Sequence, residues 1–166
     1  MSGSSRTGIG YDSHRFLESG GRLVLAGLQF PGERGLAGHS DADVVSHALA
    51  DALLGAAGLG DIGDHFPDHD ARWANADSIE LLGVVAGMLT DQGWRTVNAD
   101  VTVIAERPRL GPLKAEMGER LAGALGVEPV RLNVKATTNE GMGFIGRGEG
   151  IAVLAVATLE RTASDA

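Results

Sequence analysis

Asp12-Ser13-His14 sets a carboxylate and an imidazole two residues apart. In an extended segment residues i and i+2 project from one face, so the pair could grip a single metal ion. The same tripeptide also reads as a turn aspartate beside a surface histidine. Further on, His39-Ser40-Asp41-Ala42-Asp43 leads to His47. Ser40 or Asp41 is a good N-cap, which puts His39 just before a helix whose free N–H groups favour anions. Asp43 and His47 are four apart and share one helical face. His47 stands among Val45, Ala48 and Leu49, so a buried, hydrogen-bonded histidine and a metal ligand both fit it. Asp12, His14 and His47 together make two imidazoles and one carboxylate. Three protein ligands with a fourth position open describe a catalytic zinc site better than a structural one.

Two further segments carry candidate chemistry. Gly60 to Asp70 holds two histidines and four acids, and reads either as a metal site or as a polar surface loop of turn-forming Asp and Gly. Lys135 to Glu140 leaves a strand and runs into the glycine-rich Gly141 to Gly150. Hydroxyls, backbone N–H groups and glycines at a strand end suit phosphate, and Glu140 could hold a hard divalent cation. A mobile glycine loop with a solvated Glu140 is the plainer reading. Neither a Walker-type loop nor a nucleophile elbow occurs, and Gly8-x-Gly10 lacks the third glycine of a dinucleotide fingerprint.

The elements that must position these residues follow from period. Alternation over 97–105 and 130–136, and the apolar run 151–159, predict strands, with shorter ones at 8–12 and 23–30. Helices are expected over 41–57, over 77–91 with a capping-box-like start, and over 112–125, where Pro112 opens and Gly126 follows the end. The mixture predicts an α+β fold, a small mixed sheet with helices packed on one face. All 166 residues form one domain in this reading, with 1–7 and 161–166 frayed. Fourteen Lys and Arg against 22 Asp and Glu give a net charge of −8, which argues against a nucleic-acid binder. The absence of cysteine excludes disulfides and a Cys nucleophile, and fits a cytoplasmic protein. No apolar run reaches the length of a membrane span or opens the chain as a signal peptide.

Taken together, GIGYDSHRF, HSDADVVSHALADALLGAAGLGDIGDHFPDHD, DVTVIAERPRL and NVKATTNEGMGFIGRGEG resemble the 2-C-methyl-D-erythritol 2,4-cyclodiphosphate synthase family, from Gly8 to about Leu159. The resemblance implies a homotrimer with active sites between subunits and zinc on Asp12, His14 and His47. It implies substrate contacts at Ser13, His39 and Ser40, with His39 and Thr138 steadying the transition state, and magnesium or manganese on Glu140. Asp61, Ile62 and Gly63, with Phe66, Pro67, Asp68, His69 and Asp70, would line the methylerythritol end. Ala105, Glu106, Arg107, Pro108, Arg109, Leu110 and Gly111 would cradle the cytidine diphosphate together with Ala136, Thr137, Thr138, Asn139 and Glu140. Phe144 and Arg147 would lie at the substrate edge and the trimer axis, where an isoprenoid diphosphate could bind. Arg109 stands where Lys is frequent, and Met142 where Leu is frequent.

The implied reaction turns 4-diphosphocytidyl-2-C-methyl-D-erythritol 2-phosphate into a cyclic diphosphate and CMP. Its nucleophile, a phosphate, is anionic already, so the lack of a Cys or Ser nucleophile is expected. A chain of charge −8 cannot draw a polyanion by bulk attraction, and two divalent ions would supply the positive charge locally. Two other readings compete: a metal-dependent phosphohydrolase, and a trimeric binding protein that captures an isoprenoid diphosphate without turnover.

Overall fold

The computed structural model describes residues 4–38, 40–67, 70–73 and 76–162. Strand β1 (Ser5–Arg15) is followed by the two-residue strands β2 (Val24–Leu25) and β3 (Leu28–Gln29). Ala26 and Gly27 between them have φ of 52° and 71°, the positive values that a tight two-residue hairpin turn requires. Next come α1 (Val44–Ala57), the short α2 (Ile62–His65), α3 (Ser78–Asp91) and β4 (Trp94–Ile104). The chain closes with α4 (Lys114–Leu125), β5 (Leu132–Thr137), α5 (Gly143–Gly146) and β6 (Gly150–Arg161).

Four strands form one mixed sheet in the order β1-β6-β4-β5. The apolar β6 takes an interior place, antiparallel to both β1 and β4. β4 and β5 run parallel, and α4 supplies the crossover that such a pair needs. A bulge between Thr96 and Asn98 changes the side-chain parity of β4, so that Trp94 and Ala99 are both buried. The core lies between one sheet face and α1, α3 and α4. Val101, Val103, Val153 and Ala155 meet Leu49, Leu53, Leu82 and Met117 there, all essentially without solvent contact. The α+β class, the sheet and the helices on one face therefore match expectation. No helix among the described residues is long and apolar enough to cross a membrane.

Some boundaries differ from the sequence reading. Ser5 to Thr7 and Arg161, expected to fray, belong to β1 and β6, because Ser5 to Thr7 pair with β6 and Arg161 pairs with Trp94 of β4. Residues 129–131 form a 3-10 turn that leaves Val130 exposed, so β5 starts only at Leu132. Residues 23–30 make a hairpin rather than one strand.

Small residues let α1 lie directly on β1. A Cβ at Gly10 would collide with the Ala48 carbonyl and stand 2.7 Å from Ala52 N, and one at Gly8 would strike the Ala52 carbonyl. Backbone cannot swing aside as a long side chain can. Gly10→Ala should therefore cost about 1–3 kcal/mol through overpacking, and lower Tm by roughly 2–4 °C per kcal/mol in a chain of this size. Thermal melting checks this, and an unchanged Tm would mean that α1 shifts without cost. Among the described residues no helix covers the opposite sheet face. Ile9, Tyr11, Leu154 and Val156 lie on it side by side, with Ile9 70% exposed.

Candidate metal centre

Asp12 and His14 project from β1 toward α1, and His47 sits in the first turn of α1. Asp12 Oδ2 lies 2.9 Å from His14 Nε2 and 3.3 Å from His47 Nδ1. One ligand atom from each residue falls within 4.8 Å of the other two, the sole such cluster among the described residues. Neighbouring groups set each donor. Ser13 N donates to Asp12 Oδ1 at 2.8 Å, which leaves Oδ2 to face both rings. His14 Nδ1 lies 2.6 Å from the Ala37 carbonyl, which can only accept, so Nδ1 carries the proton and Nε2 turns toward the cluster. Ser40 Oγ stands 3.1 Å from His47 Nε2 and orients the second ring in the same way. Two imidazole nitrogens and a carboxylate oxygen, each with an outer partner, are a donor set that fits zinc.

Charge is concentrated here. Burial would raise the Asp12 carboxyl, but hydrogen bonds with His14 and His47, and their charge, hold it far below the usual carboxylate range. Burial works against protonation of His14, yet its hydrogen bond to Asp12 and the Asp12 charge raise it above its ordinary value. A proton and a cation would thus compete for the place between carboxylate and imidazole.

The start of α1 is built differently from the sequence reading. Asp43 is the N-cap, not Ser40 or Asp41, and its carboxylate turns into the core instead of sharing the His47 face. It accepts from the N–H groups of Ala26, Gly27, Val45 and Ser46 and from the Ser46 and Ser78 hydroxyls. Burial and the nearby Asp41 charge push it up, while these donors pull it down. Asp41 in turn accepts from Ser78 N, Ser78 Oγ and Asp43 N. These bonds hold Ser40 and Ala42 in the left-handed region, both at φ 55°, a strained turn that sets the Ser40 hydroxyl beside His47.

A cavity of about 240 Å³ opens at the cluster. Ser40, Ile62, Gly63 and Phe66 line it. Asp61 does not; it caps α2, in a reciprocal box with Asp64. Asp70 holds Arg72 in a fork, and the Pro67 carbonyl accepts from Asp70 N. His65 bonds the Leu59 carbonyl, and among the described residues this segment forms no second metal cluster. His39, Asp68 and His69 lie outside the described residues. Tyr11, Asp51, Trp73 and Leu81 also line the cavity and were not singled out in sequence. Asp51 could have been, since it follows His47 by four residues on α1; its Oδ1 accepts from Ile62 N at 2.8 Å and fixes the cavity wall.

The other expected residues gather elsewhere. Ala105, Glu106, Pro108 to Gly111, and Ala136 to Thr138 line a separate cleft of about 620 Å³. Arg107 turns away from it to Glu33, at 3.1 Å, because that carboxylate offers a partner on the far side. Thr138 Oγ1 lies 3.3 Å from a carboxylate oxygen of Glu140, and Asn139 donates to the Met142 carbonyl. Ser13 and Phe144 share a groove on the outer side of Asp12, and Arg147 is paired with Glu149 at 2.6 Å. Within one chain, then, the metal ligands and the cleft are lined by different residues.

Comparison with known proteins bears on this arrangement. The chain is 60% identical to the 2-C-methyl-D-erythritol 2,4-cyclodiphosphate synthase of Symbiobacterium thermophilum, over 92% of this chain and 96% of that protein. It is 58% identical to the bifunctional enzyme IspD/IspF of Anaeromyxobacter dehalogenans over 95% of its own length, but spans only 40% of that relative. A solved 2C-methyl-D-erythritol-2,4-cyclodiphosphate synthase in its CDP-bound form superposes with a TM-score of 0.85 at 36% identity, covering 93% of this chain and all of that one. The family match runs over residues 5–160, from the strand that carries Asp12 and His14 through the strand that pairs with it, and by it this protein is a member of the YgbB family.

Proposed function

We propose that this chain is a cyclodiphosphate synthase, converting 4-diphosphocytidyl-2-C-methyl-D-erythritol 2-phosphate to 2-C-methyl-D-erythritol 2,4-cyclodiphosphate and CMP in isoprenoid biosynthesis. The convergence of Asp12, His14 and His47 at the mouth of a small cavity carries this reading. The 2-phosphate oxygen attacks the β-phosphorus, a new P–O bond forms, and CMP departs with the electrons of the broken bond. No proton need be removed from the nucleophile. Zinc at Asp12, His14 and His47, and magnesium or manganese at Glu140, would supply Lewis-acid countercharge to phosphoryl oxygens. The chain's own part is placement and hydrogen bonding. Ser40, His39 and the Thr138 hydroxyl donate to phosphoryl oxygens, while Ile62, Gly63 and Phe66 hold the methylerythritol end. Arg109 lies along the cleft beside the departing CMP. Such positioning of an intramolecular pair is worth roughly 7–11 kcal/mol of barrier. Product analysis decides the matter: a cyclic diphosphate with CMP supports the synthase, and inorganic phosphate supports a phosphohydrolase instead.

The working unit in this reading is a homotrimer with sites between subunits. Two observations support it. The bare sheet face presents Ile9, Leu154 and Val156 to solvent, an apolar patch of the kind that marks an interface. The metal cavity and the proposed nucleotide cleft are also lined by different residues of one chain, which suits a site assembled from two subunits. Leu154→Glu should break the assembly to single chains and abolish turnover while the zinc content per chain stays the same. Light scattering reads the mass, and an unaltered trimer or a wild type that runs as a monomer would count against this arrangement. Phe144 and Arg147 are the residues proposed for an isoprenoid diphosphate at the trimer axis.

A further inference from the structure

Glu106 was expected to touch the nucleotide, yet its carboxylate is engaged by the protein. Glu106 Oε1 accepts from Asn139 N at 2.9 Å and from Gly141 N at 3.3 Å. These are the two amides on either side of Glu140. Glu140 itself has φ 51°, a left-handed conformation that a side chain with a Cβ adopts at a cost, and Gly141 follows at 72°. Glu140 N meets Thr138 Oγ1 at 3.3 Å, and that hydroxyl in turn donates to the Glu140 carboxylate.

The register explains why Glu106 can reach. Ile104 pairs with Thr137 at the ends of the parallel strands β4 and β5, so the chain two residues beyond each end lies side by side. On the other flank the loop backbone packs so closely on Gly146 that a Cβ there would strike Gly141. Between these two supports the turn has little freedom.

We infer that Glu106 is a positioning residue: its carboxylate clamps the 138–141 loop, and so sets the Thr138 hydroxyl and the Glu140 carboxylate at the rim of the cleft. This rests on the proposed role of Glu140 toward the substrate's cation, but the clamp itself is a property of the free chain. Reach, not charge, is what it requires.

Two substitutions separate these. Glu106→Gln keeps the length and one acceptor oxygen but loses the charge; Glu106→Asp keeps the charge but is one methylene short. Amide deuterium exchange at Asn139 and Gly141 is measured on the free protein, and CDP affinity is measured by calorimetry with Mg²⁺ present. Glu106→Gln should behave as the wild type does. Glu106→Asp should exchange faster and raise the Kd for CDP by about tenfold, the size of one ordinary hydrogen bond lost. Metal content at Asp12, His14 and His47 should not change. Wild-type exchange in Glu106→Asp would overturn the inference, as would impairment of Glu106→Gln, which would assign the role to charge. Failure of the synthase reading would appear separately, as absent turnover in the wild type with the exchange pattern intact.

Discussion

His47→Ala and Asp12→Ala each lose turnover by roughly three orders of magnitude or more, because the metal's several kcal/mol of charge stabilisation disappears at 1.36 kcal/mol per decade. Each variant should also lose bound zinc, read by elemental analysis, while the metal-free fold melts near the wild-type temperature. Both side chains are partly exposed, and neither holds the core. A variant that keeps full zinc and full cyclic-diphosphate output, by phosphorus NMR, would refute the site. Proton competition gives an independent check. Asp12 raises His14 above its ordinary 6.5, so a proton competes with a cation there as pH falls. Apparent zinc affinity should therefore start to fall at a pH above 6.5 and go on falling as acid is added. An affinity that stays flat across that range would mean that His14 is not a ligand.

Asp43→Ala should be the most damaging substitution to stability, by about 3–5 kcal/mol, the usual range when one partner of a buried charged network is removed. Four backbone N–H groups and the Ser46 hydroxyl would lose their acceptor in a place water does not reach. Thermal melting should fall by roughly 10 °C, taking 2–4 °C per kcal/mol. Zinc affinity should fall with it, because His47 N bonds the Asp43 carbonyl and its position depends on how α1 begins. That combination differs from His47→Ala, which loses the ion and keeps the melt. A cooperative transition at the wild-type temperature would show that Asp43 is replaceable.

Much of the site was readable from local pattern. Two-residue alternation in β1 puts Asp12 and His14 on one face wherever that strand lies, and helical spacing confines His47 to one side of α1. The Asp12, His14 and His47 cluster and the α+β class are therefore legible in the residues alone. The part of Asp43 is not legible locally because its donors span Ala26, Ser46 and Ser78; seen locally, Ser40 and Asp41 cap as well as it does. Arg107 and Glu106 have partners within the chain that local pattern does not show. Which side each takes is settled by Glu33 and by the loop after β5, both distant in the chain.

Sequence by itself determined the kinds of donors, their spacing within each element, and the membership in a family. Only the tertiary structure decided that Gly8 and Gly10 bring α1 onto β1 closely enough for three ligands to converge, and that two aspartates with raised or lowered protonation play opposite parts. The physical reason is that spacing along one element follows from backbone geometry, whereas contact between elements depends on burial and packing among residues far apart in sequence.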